Sequence, residues 1–384
     1  MSYLCGLIKR KMNLTFREIV THRDWHDFIE FPKRLFKGNA HFIPSLDSDE
    51  HDSLYREKNP AYSYCDAKFW LAESGGKAVG RVGAIINRRA NEKWNEKFVR
   101  FGWFDFIDDF KVCKALVGKV IEFGRQHGMT KIQGPLGFTD MDKECWVTEG
   151  FENRQNICTL YNPPYYIDFI KRLGFAVDCE WLQYKMPASQ PVPEKVRRLS
   201  RVIAEKYKVR LLEFTKVKDI LKYAHKVFHC LNDAFSILYG FVELTETEID
   251  NYTNKYFQVL DPELVKLVVD ENDDVIAFAI AMPCLDEAFR KINGRLFPFG
   301  WARVLHDIHH YQDIDFLLNG VSGKWQGKGI HALYHLAMNE TMIRKKLRFA
   351  YSNPQISGNM AVKVWDSQYE CEQHFKRAVF SKEL

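Results

Sequence analysis

Two stretches of the chain share one pattern of apolar and polar positions. Residues 67–87, "AKFWLAESGGKAVGRVGAIIN", run as a strand, a Gly-Gly turn and a second strand, and residues 264–283, "LVKLVVDENDDVIAFAIAMP", do the same around a polar turn. After the first hairpin the pattern continues as strand 97–107, helix 109–128, strand 130–137, helix 164–173 and strand 175–186. After the second it gives strand 313–321, helix 329–346, strand 348–354, helix 359–374 and a closing strand 377–384. Both halves therefore predict hairpin, strand, helix, strand, helix, strand, a repeat of order rather than of residues. The fold class this implies is α/β, as two domains of one type.

The seam between them is "MPASQPVPEKV", where Pro187, Pro191 and Pro193 remove backbone donors and fix φ. Residues 13–187 and 195–384 are the expected domains, with 188–194 as linker and 1–12 as an N-terminal extension. A length of 384 residues suits two cores. The net charge of +5 is mild and there is no Lys/Arg run, so nucleic acid is not an expected partner. Nine cysteines without a C-x-x-C pair fit reduced thiols better than disulfides or zinc. The longest apolar run, "VIAFAIAMPCL", is far short of a membrane span. A cytoplasmic protein without a membrane partner is expected, its oligomeric state open.

The chemistry concentrates where strand 313–321 turns into the next helix, "FLLNGVSGKWQGKGIHALYHLAM". A glycine-rich corner at a helix N-terminus exposes backbone N–H groups and a partial positive charge, which suit a phosphate or pyrophosphate. Lys324 and Lys328 add charge at the rim. "GKGIHA" also satisfies the loose G-x-G-x-x-A dinucleotide fingerprint, but the following strand ends in Ser352-Asn353-Pro354 without the acid that would hold a ribose. The segment Gln326-Gly327-Lys328-Gly329-Ile330-His331, preceded by Val321, instead follows Q/R-x-x-G-x-G/A except at its last position, where His331 replaces a small residue.

With "GPLGFTDMDKE", "TEGF", "YNPPYY", "GV" before "QGKGI", and "SNP" before "KVWDSQYECEQHFKRAVFSKEL", the chain resembles the bacterial tandem-GNAT, N-acetyltransferase-like proteins, especially their Bacteroidetes-type branch. The resemblance spans residue 13 to the end. It implies two GNAT folds with mixed central sheets flanked by helices. It also implies an acyl-CoA site in the second half, with acetyl-CoA or another acyl-CoA as donor, and transfer to an unidentified small amine. On that reading Val321, Lys324, Gln326, Gly327, Lys328, Gly329, Ile330, His331 and Asn353 bind the donor.

Amide formation needs a base, a polarised carbonyl and a proton for the leaving thiolate. Asp315, which alternates with Asp313 on the strand into the loop, is the candidate base. Tyr369 is the candidate acid, and Asn359 holds the donor's arm or an ordered water. In the first half the corresponding loop, "DFIDDFKVCKAL", has no glycine and sets Asp108 and Asp109 at the helix start, so CoA binding there is not expected. That half is expected to supply acceptor residues instead, Asp140, Glu149, Tyr161, Asn162 and Tyr165, from loops mixing acids with aromatics. His306, His309 and His310 have helical spacing but no second ligand cluster, so no metal is assigned. The alternative from another class is a non-catalytic GNAT-fold protein that binds a ligand or acts as scaffold.

Overall fold

The computed structural model describes residues 13–257, 260–358 and 370–384. The first half opens with β1 (Leu14–Glu18), α1 (His22–Leu35) and α2 (Asp47–Leu54). The hairpin β2 (Cys65–Ser74) and β3 (Lys77–Asn87) follows, then α3 (Arg88–Trp94), β4 (Phe98–Phe106), α4 (Phe110–Gln126), β5 (Lys131–Gly134), β6 (Trp146–Glu149), α5 (Tyr165–Arg172) and β7 (Ala176–Pro187). The second half runs α6 (Glu194–Tyr207), β8 (Arg210–Glu213), α7 (Val217–Leu221), α8 (Ala224–Phe235), α9 (Glu246–Tyr256), β9 (Val265–Val269) and β10 (Val275–Pro283). It ends with α10 (Asp286–Ile292), α11 (Gly300–His309), β11 (Asp313–Val321), α12 (His331–Arg344), β12 (Phe349–Tyr351), β13 (Gln355–Ile356) and β14 (Glu372–Glu383).

One mixed sheet carries both halves, in the order β1-β2-β3-β4-β5-β14-β7-β12-β11-β10-β9-β8. The last strand of each half lies against the other half's sheet. β14 pairs with β5 of the first half, from Phe380↔Gly134 to Glu383↔Lys131. β7 pairs with β12 of the second, from Phe349↔Pro187 to Tyr351↔Lys185. The two exchanged strands pair with each other from Glu372 to Ser381, which makes the seam a continuous ladder. The expected helix 359–374 overruns this strand: Glu372, Gln373 and His374 belong to β14. Its polar start reads as helix from sequence because the apolar, doubly buried part covers only Ala378–Phe380.

Within each half one parallel pair begins and then separates. β4 and β5 pair only from Phe98↔Lys131 to Arg100↔Gln133, and β11 and β12 only from Asp313↔Phe349 to Asp315↔Tyr351. Around the first pair, Phe101, Phe104, Trp146, Tyr166 and Phe175 pack into one buried cluster. In the second half, Ile314, Phe316 and Ala350 pack with α6 and α12 on one face, while Phe278, Ile280 and Leu317 pack with α8 and α9 on the other. α12 is buried on more than one side, through Leu333, Tyr334, Met338 and Asn339, so its N-terminus is fixed at the end of β11.

Candidate active site

β11 ends at Val321, and Ser322 leads into a tight turn, Gly323–Trp325. Asp233 of α8 holds that turn, accepting the Ser322 hydroxyl at 2.5 Å and the Gly323 N–H at 2.8 Å. Gln326 folds back and donates its side-chain amide to the Val321 carbonyl at 3.0 Å. Gly327 and Gly329 have φ of +73° and +78°, the left-handed region that a side chain disfavours. A Cβ on Gly327 would meet open space, whereas one on Gly329 would press Ile203 at 2.8 Å. Among the described residues, the backbone N–H groups of Gly327, Lys328, Gly329, Ile330 and His331 make no hydrogen bond. They are unpaired donors at the N-terminus of α12, the kind of group a pyrophosphate can use.

The surrounding side chains sort by burial. Ile330 is fully buried and anchors the corner in the core. Lys324 is exposed, and the Lys328 ammonium lies 4.6 Å from the Trp325 ring centre and 5.6 Å from that of Tyr207. His331 starts α12 with its ring near that of His335. Burial lowers both imidazoles, His335 to about 3 with help from His331, so His331 is neutral at neutral pH and offers the loop a hydrogen bond rather than a charge. Asn353 bridges the gap where β11 and β12 part, its Nδ2 donating to the Leu317 carbonyl at 2.8 Å. Its Oδ1 is buried without a partner among the described residues.

At the other end of β11 lies a second cluster that the sequence did not signal, apart from Asp315. Asp315 is 1% exposed, and Cys284 and Asn156 lie beside its carboxylate, but neither oxygen has a hydrogen bond of ordinary geometry among the described residues. Burial, and next the Asp286 charge, push its pKa up to about 7 against the pull of Arg154. Arg154 comes from the first half, just beyond "TEGF", and donates to Asp286 Oδ1 at 2.6 Å and toward Cys284 Sγ at 3.5 Å. Its guanidinium also lies 4.8 Å from the Tyr351 ring centre. The ligand atoms of Cys284, Asp286 and Asp315 all lie within 4.8 Å of one another, and the guanidinium bonds two of the three residues, Asp286 and Cys284. Beside the cluster opens a cavity of about 470 Å³ lined by Arg154, Cys284, Asp307, Tyr311, Asp313 and Tyr351, among others.

The expected acceptor residues are dispersed. Asn162 is 1% exposed and bonds both backbone groups of Val147, accepting from its N–H at 2.7 Å and donating to its carbonyl at 3.1 Å. The Tyr165 hydroxyl donates to the Phe106 carbonyl, Tyr161 accepts from Asn39, and Glu149 is an exposed partner of Lys376. None of these four lines the cavity. Asp140 is half-buried in the loop between β5 and β6, where burial, opposed by Arg100 and Lys93, raises it to about 6. Asp142 is raised similarly, to about 6, chiefly by burial. Asn359 and Tyr369 lie outside the described residues. In the first half, Asp109 caps α4 itself, accepting the Lys111 N–H at 2.7 Å. A second possible metal group, His225, His229 and Glu246, is exposed on α8 and α9.

No protein-family model matches the chain. It is similar to Protein YghO of Escherichia coli (strain K12), 26% identical over 290 residues, covering 75% of this chain and 73% of that protein. It is also similar to a bacterial ceramide synthase of Caulobacter vibrioides, 25% identical over 295 residues and 76% of each chain. Among solved structures, a tandem GNAT protein from the clavulanic acid biosynthesis pathway aligns over 97% of this chain and 98% of its own, with a TM-score of 0.55 and 13% identity. A GCN5-related N-acetyltransferase from Sphaerobacter thermophilus aligns over 96% and 95%, with a TM-score of 0.52 and 12% identity. The chain therefore has the GNAT fold, a mixed sheet flanked by helices, shared along its whole length with a tandem GNAT protein.

Proposed function

We propose that the chain is a cytoplasmic, acyl-CoA-dependent N-acyltransferase of the Bacteroidetes-type tandem-GNAT branch, acting on a small amine. The observation that carries this reading is the run of free backbone N–H groups from Gly327 to His331 at the start of α12. The donor's pyrophosphate would sit there, with Lys324 and Lys328 at the rim. Its arm would run along the gap between β11 and β12 past Asn353, bringing the thioester toward Asp315 and Tyr351. The cavity lined by Arg154 and Asp313 would admit the acceptor from the other side.

In this reading Asp315 is the base. A carboxyl raised to about 7 is part-ionised at neutral pH, and its carboxylate is a stronger base than an ordinary aspartate, so it can take a proton from a bound ammonium group. The freed amine attacks the thioester carbon, a C–N bond forms, the C–S bond breaks, and the thiolate leaves with a proton. Tyr369 is the proposed acid, and the Arg154 charge, opposed by that of Asp286, sets how readily Asp315 ionises. A ceramide is the N-acyl derivative of a long-chain amino alcohol, so the relative named for ceramide synthesis supports an amine acceptor.

Calorimetric titration with coenzyme A and acetyl-CoA tests the reading, with Gly327→Glu alongside. That substitution places a carboxylate at the loop, where a Cβ has room but the positive φ adds strain, so a thermal melt checks that the variant is folded. Micromolar binding in the wild type and none in the variant is expected, with thiol release only when an amine is present. No heat and no thermal shift at millimolar ligand would leave a non-catalytic GNAT-fold protein as the better description.

A further inference from the structure

Residues 290–305, "RKINGRLFPFGWARVL", carry four basic side chains and no acid, and their large apolar side chains point outward. Phe297 is 81% exposed, Phe299 78%, Trp301 47% and Leu305 48%. On α11 the two faces are opposed: Val304 and Ile308 pack on Leu285, Ala288 and Phe289 of the α10 region, while Trp301 and Leu305 face away. Scattered single apolar residues are ordinary on a protein surface, but three exposed aromatics at alternate positions of a loop and the helix that follows it are not.

The loop is held in this form. Gly294, with φ of +75°, lies so close to Ser45 of the first half that a Cβ there would stand 2.2 Å from its carbonyl oxygen. The Gly294 carbonyl accepts the Asp47 N–H at 2.9 Å, and Arg295 bridges to Glu30 at 2.9 Å. Trp301 donates its indole N–H to the Pro298 carbonyl at 3.0 Å. Two large apolar side chains on an anchored loop and two more on the helix after it are thus displayed, a costly arrangement in water unless something covers them.

We propose that this surface docks the protein peripherally on a lipid bilayer containing anionic headgroups. Phe and Trp side chains suit the boundary between headgroups and acyl chains, and an amphipathic helix lying in that plane buries its apolar face there. The basic groups border the apolar face, although Arg295, like the two arginines that follow, pairs with an acid, Glu30. Arg290 and Arg303 pair with Glu287 and Asp307 of their own helices, and Lys291 is exposed at the same edge. Basic groups beside an inserted apolar face add attraction to anionic lipid. The patch also adjoins the cavity described above, since Asp307 and His310, on and just after α11, and Tyr311 line its wall. No described helix is long and apolar enough to cross a membrane, and a peripheral contact needs none.

Flotation of the full chain with vesicles of phosphatidylcholine and phosphatidylglycerol (about 7:3) tests the proposal. It does not depend on any acyl transfer, so its failure and that of the proposed function are separable. Phe297→Ser/Phe299→Ser changes two largely exposed side chains, and a thermal melt checks that the variant is folded. At least tenfold weaker vesicle binding in the double variant is expected, with wild-type binding reduced at 0.5 M salt and on pure phosphatidylcholine. The proposal is overturned if wild type stays with the aqueous fraction, or if the double variant floats equally well. It is overturned too if light scattering shows a wild-type dimer that the double variant dissociates, because the patch then joins two copies.

Discussion

The Arg154 guanidinium, from the first half of the chain, donates to the Asp286 carboxylate of the second at 2.6 Å, and Asp286 is 1% exposed. Burial alone would favour the neutral form of each partner. Arg154 nonetheless keeps its charge, because Cys284, Asp286 and Asp315 together outweigh the cost of burial. The same guanidinium opposes the rise of the Asp315 pKa, so one side chain acts on the charge of the cluster and links the two halves.

Arg154→Met leaves the Asp286 carboxyl buried without its partner. Breaking a buried pair on one side costs about 3–5 kcal/mol, and the lower end is expected because the Arg154 side chain keeps 32% of its surface. Urea unfolding measures this, and Arg154→Met/Asp286→Asn should recover most of the loss. A single variant within about 0.5 kcal/mol of wild type, the usual range for a surface change, would mean that the pair does not hold the halves together.

Asp315 gives a pH dependence whose sign follows from its elevated pKa. Between about pH 4 and pH 7 the folded chain holds a proton that the unfolded chain has released. Stability from this group is complete below pH 4 and is lost as pH rises through about 7. The difference between 3.8 and about 7 bounds the effect at roughly 4 kcal/mol. Asp315→Asn removes the titration, so its stability relative to wild type should improve steadily from pH 4 to pH 7 and level off above. The same variant should lose about 10²- to 10⁴-fold in acyl transfer if Asp315 is the base. Thermal melts in a pH series and a turnover assay read the two effects separately. A stability difference that stays flat with pH would show that Asp315 does not titrate in this window.

How much of this was legible in the sequence differs from element to element. The hairpin 67–87 and the strand 313–321 came through because alternation and glycine placement are local signals. The loop 326–331 was legible for the same reason: its glycines serve the backbone at their own positions. The exchange of β7 and β14 was not, since strand neighbours are chosen by the whole sheet and neither strand carries a mark of its partner. Arg154, Cys284 and Asp286 were equally hidden. Arg154 lies 130 and 132 residues before Cys284 and Asp286 and meets them only when the halves pack. Asn162, Tyr161 and Tyr165 drew notice as an aromatic, polar run, but such runs serve equally well to satisfy buried backbone groups, as Asn162 does for Val147.

Lys328 offers a test of the donor loop that does not strain the backbone. Its side chain is exposed over Trp325, so Lys328→Ala should leave the fold intact and remove one positive charge from the rim. Coenzyme A binding should weaken about three- to tenfold at low salt and converge on wild type near 1 M salt, where the screening length falls to about 3 Å. Titrations at two salt concentrations provide the check. Equal affinities at both would place the pyrophosphate away from this rim.

The exchanged strands predict how the chain behaves when cut. A fragment ending at residue 187 lacks β14, so β5 loses its outer neighbour and β7 loses partners on both sides, β14 and β12. Val379 and Phe380, both fully buried, no longer cover the first-half core. Unpaired central strands with exposed apolar faces recruit one another, so the fragment should aggregate or unfold without a cooperative transition. Co-expression with residues 188–384 should restore a soluble complex, because the missing strand returns with the second piece. Solubility, size exclusion and a circular-dichroism melt of each fragment, alone and together, decide the matter. A monomeric first-half fragment with its own sharp melt would mean that β14 adds to a core already complete. The full-length ladder between β7 and β14 argues the opposite, since it leaves each half's sheet ending in a strand supplied by the other.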